Sequence, residues 1–131
     1  MADHPLPADV RDLIAHHLPT MEHVEVLLAL AAAGAKTRTA GDIATELRGN
    51  AASVATRLED LVASGLVARE GPESDGAFRY APNSVTLRTA TTGLAEMYRT
   101  KPVSLVKAIY ARPPAAVQSF ADAFRVRKPG S

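Results

Sequence analysis

Cysteine is missing from the sequence, which excludes disulfides and thiolate chemistry. No apolar run approaches the roughly 20 residues that cross a bilayer, so no membrane partner is expected. The opening MADHPLPADVRD is acidic and proline-bearing, without the basic and then apolar order of a secretory signal, and a cytoplasmic location is the expectation. No glycine-rich phosphate loop follows a strand. Serine, histidine and aspartate all occur, but in no arrangement that marks a catalytic triad. His16, His17 and His23 lie near Glu22 and Glu25, yet metal ligands must converge, as an i, i+4 histidine pair does. Two of these histidines are adjacent, and Pro19 separates them from the third. The chain therefore reads as a non-enzyme with no cofactor and no metal.

What is present is 131 residues, enough for one domain with a real core, at 47% hydrophobic and 22% charged content. The net charge of +1 becomes informative when it is divided along the chain. Residues 1–35 carry one arginine against five acids, residues 36–83 six basic residues against seven acids, and residues 84–131 eight basic residues against two acids. The basic excess thus falls in the last third, where an acidic first third can meet it.

Hydrophobic spacing and capping residues divide the chain into short helices. Val10, Leu13, Ile14 and Leu18 share one side of a helix that Pro19 ends. Thr20 is placed to cap the next helix, in which Met21, Val24, Leu27, Leu28 and Ala31 fall at helical spacing, with Gly34 as its left-handed end. Thr39 and Asp42 form a capping-box pair for a helix that buries Ile43, Ala44 and Leu47 and ends at Arg48 and Gly49. Asn50 caps a further helix at about 51–64, with Val54, Leu58, Leu61 and Val62 in one stripe and Gly65 as its C′ residue. Residues 67–70 and 77–81 read as two short strands, joined by the turn chemistry of Gly71-Pro72 and Asp75-Gly76. After Pro82 the pattern is helical again. Leu87, Ala90, Leu94 and Met97 or Tyr98 make one stripe, Val103, Val106, Ile109 and Tyr110 a second, and Val117, Phe120 and Phe124 a third beyond Pro113-Pro114. The fold class is mainly α with a small β-hairpin, and the order helix, turn, helix, hairpin is one that presents a helix to the DNA major groove.

The block LLALAAAG, TAGDIATEL, VATRLEDLVASGLVARE and FRYAP resembles the winged helix-turn-helix domains of bacterial transcriptional regulators of the MarR-like group. The features that carry the resemblance are Ala44 beside Ile43, the run from Leu61 to Val67, and the aromatic strand Phe78-Arg79-Tyr80. It spans about residues 20–83, leaving 1–19 as an N-terminal arm and short helix and 84–131 as a helical extension. In such proteins the terminal helices build a dimer interface, so the resemblance implies a homodimer on double-stranded DNA. An unidentified small-molecule effector is a further possible partner, with Tyr98 and Tyr110 as the aromatics that hint at a pocket. The face of the 51–64 helix left over from its buried stripe holds Asn50, Ala52, Ser53, Thr56, Arg57 and Asp60. Ser53 and Thr56 suit bases or phosphates, and Arg57 suits bidentate contact with guanine. Lys36, Arg38 and Thr39 are placed to grip phosphates, and Arg69 and Arg79 to seat the wing. The alternative is a winged protein-interaction module without specific DNA binding, in line with the acids Glu59, Asp60, Glu70, Glu73 and Asp75 in the same region. As an alternative to pairing two copies through the C-terminal helices, Arg99, Lys101, Lys107 and Arg112 offer a second basic face for DNA, RNA or an acidic protein.

Overall fold

The structure, a computed structural model, describes residues 6–70 and 76–111. The 71–75 turn, the last helix expected from Val117, Phe120 and Phe124, and the basic residues Arg112, Arg125, Arg127 and Lys128 lie outside the described residues. Helix α1 (Ala8–His17) starts after Pro7, and α2 (Met21–Ala33) after the Thr20 cap, whose hydroxyl oxygen accepts from the His23 N–H at 3.2 Å. Strand β1 (Arg38–Thr39) leads directly into α3 (Ala40–Leu47) through the expected capping box. Thr39 Oγ1 accepts from the Asp42 N–H at 3.1 Å, and Asp42 Oδ2 accepts from the Thr39 N–H at 3.3 Å. The left-handed residue that ends α3 is Arg48 (φ 59°, ψ 39°) rather than Gly49.

The Asn50 carboxamide caps α4 (Ala51–Ala63) by accepting from the Ser53 N–H at 2.9 Å. At its other end the Leu66 N–H reaches the Leu61 carbonyl and the Gly65 N–H the Val62 carbonyl, both at 3.1 Å, a Schellman closure. It turns the chain into β2 (Val67–Glu70), which pairs with β3 (Ala77–Tyr80) in antiparallel register, Val67 opposite Tyr80. Ser84 then caps α5 (Val85–Thr100), and Pro102 opens α6 (Pro102–Ala111).

The fold is a winged helix-turn-helix, mainly α with a small antiparallel sheet. That sheet has three strands in the order β1-β3-β2, one more than the hairpin expected from the sequence. A two-residue strand is too short to carry a period, and β1 is set by its partner, Arg38 lying opposite Phe78.

One apolar core runs through the molecule. Val24, Val26, Leu27 and Leu30 of α2 share it with Ile43, Val54, Leu58, Leu61, Leu66 and Phe78, and it continues into α1, α5 and α6 through Val10, Leu13, Ile14, Leu94, Leu105 and Ile109. The α1–α5 crossing is close: a Cβ added to Gly93 would stand 2.9 Å from Val10. Thr91 is buried there, its hydroxyl satisfied by the Leu87 carbonyl at 2.9 Å.

Helix α6 corrects the expected stripe. Leu105 and Ile109 face inward, while Val103, Val106 and Tyr110 are exposed. Both sides of this helix are apolar, so spacing alone does not select the buried one. The Tyr110 hydroxyl accepts from the Met21 N–H at 2.9 Å, tying α6 to the start of α2.

Gly65 combines a positive φ of 82° with a Cβ position only 2.3 Å from the Asn83 side-chain nitrogen. Gly65→Ala is expected to lower the unfolding free energy by about 1–2 kcal/mol in denaturant titration, mainly from left-handed strain. The loss should persist in an Asn83→Ala background, since the backbone and not the flexible amide is its main source.

Candidate nucleic-acid interface

Helix α4 has three lengthwise stripes, and their partners decide what each can do. Val54, Leu58 and Leu61 are buried in the core. Ala52, Thr56, Glu59 and Ala63 are exposed. Ser53, Arg57 and Asp60 form the third stripe, and the structure turns it toward α2 instead of leaving it with the outward residues. A helix offset of three or four residues keeps these side chains on one line, so a single neighbouring helix meets all of them.

That neighbour contributes Glu22 and His23. Glu22 Oε1 accepts from the Ser53 hydroxyl at 2.6 Å and from Arg57 Nε–H at 2.8 Å. Arg57 and Glu22 are half-buried, with side chains 29% and 28% exposed. The Ser53 hydrogen bond above all, with the Arg57 guanidinium, holds the Glu22 carboxyl below its usual range. One turn along, buried His23 meets the Asp60 carboxylate through Nε2 at 2.8 Å and the Thr20 hydroxyl through Nδ1 at 2.8 Å. The carboxylate can only accept, so Nε2 carries a proton, and Nδ1 shares a hydrogen bond with the Thr20 hydroxyl. Both ring nitrogens are thereby hydrogen-bonded.

The remaining candidates lie around this unit. Lys36 is exposed beyond α2. Arg38 Nη1 pairs with Glu46 at 2.5 Å. The Thr39 hydroxyl and the Asn50 carboxamide oxygen serve as helix caps. Thr56 is exposed, its hydroxyl donating to the Ala52 carbonyl at 3.2 Å. Arg69 on β2 grips Glu59 of α4 with both terminal nitrogens, at 2.7 and 2.5 Å, and lies over the Phe78 ring. Hydrogen bonding by Arg69 holds the Glu59 carboxyl low. Arg79 on β3 donates from Nε to Glu70 on β2 at 2.8 Å. All four arginines of the candidate set therefore have a glutamate partner.

The pairing of these glutamates with the arginines is what sequence reasoning missed. Glu22, Glu46, Glu59 and Glu70 lie 8 to 35 positions from their arginines, and spacing shows no pair that only tertiary packing creates. Tyr98 and Tyr110 both bond to α2, the Tyr98 hydroxyl donating to Glu25 at 3.3 Å and the Tyr110 hydroxyl accepting from the Met21 N–H. A cleft of about 180 Å³ lies between α1 and α5, lined by Asp9, Asp12, His16, His17 and Thr86 among others. His17 Nδ1 is 2.9 Å from the Ser64 hydroxyl, and burial lowers its pKa.

A family model described as "MarR family" matches residues 18–77, just under half of the chain, from the end of α1 to the start of β3. No curated protein and no solved structure matches the chain.

The depressed Glu22 carboxyl has a signed consequence for stability. A folded pKa below the ordinary value of 4.5 stabilises the fold above that value, and the contribution is lost as pH falls through the folded pKa. Wild type should exceed Glu22→Gln in stability by a constant margin, under about 1 kcal/mol, from pH 7 to about 5. Denaturant titrations repeated at lower pH should show the margin vanishing.

Proposed function

We propose that the chain, whose residues 18–77 match the MarR family model, is a DNA-binding transcriptional regulator, cytoplasmic, and that it places α4 in the major groove as a homodimer. The observation that carries this reading is the α3–α4 pair with its wing, on which Arg38, Arg57, Arg69 and Arg79 are each oriented by a glutamate. The Arg38, Arg69 and Arg79 pairs reach into solvent and are worth about 0–1 kcal/mol each, so a phosphate can replace their carboxylate partner at little cost. Lys36, Arg38 and Thr39 would face the backbone beside α3. Asn50, Ser53, Thr56 and Arg57 would serve the groove, and Arg69 and Arg79 the wing.

Pairing of two copies is supported by the apolar side chains that α6 leaves in water, Val103, Val106 and Tyr110, and by the opposite charges of the first and last thirds of the chain. It also answers an electrostatic need. Residues 36–83 carry almost no net charge, and phosphate neutralisation supplies most non-specific affinity. Two modest contact sets on one duplex supply what a single set lacks.

A second reading, a winged module that docks on a protein, is favoured by one feature. The exposed stripe of α4, Ala52, Thr56, Glu59 and Ala63, holds an acid and no cation. Selection of genomic fragments by the purified chain, run beside a solution mass measurement, separates the two readings. The regulator reading expects a mass of two chains and an affinity that falls with salt at a log–log slope steeper than about −4, from about five neutralised phosphates. A monomer with no salt-dependent binding at about 50 mM salt would contradict it and leave the docking module.

A further inference from the structure

We propose that Glu22 is a positioning residue for base recognition: from α2 it holds Arg57 by Nε, leaving the two terminal guanidinium nitrogens fixed and free for a guanine edge. The inference rests on the DNA-binding reading above and adds to it a residue outside the recognition helix.

Three observations combine. Glu22 engages Arg57 through Nε alone, and among the described residues no acceptor meets Arg57 Nη1 or Nη2. Arg69 is the contrast, since Glu59 occupies both of its terminal nitrogens. Bidentate contact with guanine O6 and N7 can be made with the terminal pair, which Arg57 has kept open. Second, the carboxylate that holds Nε is itself fixed. It accepts from Ser53 Oγ at 2.6 Å through the same oxygen, and it sits in the first turn of a helix whose next residues, His23 and Val24, are buried. Third, the His23–Asp60 contact at 2.8 Å lies one residue further along α2 and nearly one turn further along α4, a second polar contact between the same two helices. Arg57 thus departs from α4 with its direction already chosen.

Exchange of Glu22 for a DNA acceptor is the less favourable alternative. It would leave a half-buried carboxylate with Ser53 as its remaining donor, close to phosphates. Keeping the pair satisfies Nε and Glu22 while the open fork reads the base. The accompanying cost is long-range repulsion between the Glu22 charge and the DNA backbone, which weakens binding to all sequences alike.

Because the two effects have opposite signs, they identify the role. The probes are the tightest fragment from the genomic selection, each single G·C→A·T substitution of it, and a random duplex of equal length. Wild type should discriminate roughly 5- to 150-fold at the guanine that Arg57 reads, and Arg57→Ala should bring that ratio to about one. Glu22→Ala should also bring the ratio close to one while binding the random duplex at least as tightly as wild type. Glu22→Gln keeps an oxygen for both donors and should retain most of the discrimination, which covers the case in which Glu22→Ala fails to fold.

Discrimination unchanged in Glu22→Ala would overturn the positioning role, and so would tighter specific binding, which would make Glu22 a restraint on Arg57. Equal weakening on both duplexes would mean a purely structural role. If wild type binds DNA but Arg57→Ala discriminates as well as wild type, this inference fails and the regulator reading stands. If wild type binds no DNA, both fall.

Discussion

Burial of α2 is the constraint on which the rest of the structure depends. His23, Val24, Val26, Leu27, Ala29 and Leu30 are all withdrawn from water, and α3, α4 and β3 pack around them. Each fully buried aliphatic side chain contributes about 1.5–3 kcal/mol, so apolar contact supplies most of the cohesion. It also sets the rotation of α4 about its own axis, since turning the helix by one residue, roughly 100°, would carry Val54, Leu58 and Leu61 out of the core. Glu22 and His23 at the polar end of α2 reinforce that rotation through Ser53, Arg57 and Asp60. A buried imidazole left without its acceptor costs about 1–3 kcal/mol, which adds to the apolar preference.

The same contacts set the electrostatic character of the winged unit. Arg38, Arg57, Arg69 and Arg79 are all compensated by glutamates, so residues 36–83 combine many cations with almost no net charge. Such a surface has little long-range pull on a polyanion, and its guanidiniums are oriented before any encounter. The Arg69–Glu59 pair also joins the wing to α4, so hairpin and helix present themselves together.

Much of this fold is legible in the sequence because capping and periodicity act over a few residues. Thr20, Thr39 with Asp42, Asn50, and Gly65 with Leu66 all perform the capping roles that their types and positions imply. The features that were not legible are tertiary in origin. Strand β1 is defined by its pairing with β3. The inward side of α6 is chosen by its packing beside α1 and α5, since Leu105 and Val106 are equally apolar neighbours in sequence. Most consequentially, Ser53, Arg57 and Asp60 read as outward because they lie off the apolar stripe. A polar side chain off that stripe can still face a neighbouring helix when that helix carries complementary polar groups, as α2 does.

The proposed function depends on where those polar groups place one guanidinium, and NMR of the arginine side-chain protons observes that placement directly. The account predicts slow solvent exchange for Arg57 Nε–H in the free protein, from its bond to Glu22. On the selected DNA that signal should persist while the Nη protons become newly protected. Loss of Nε–H protection on DNA, or Nη protons that keep exchanging freely in the complex, would contradict the claim that α2 aims Arg57 at the bases.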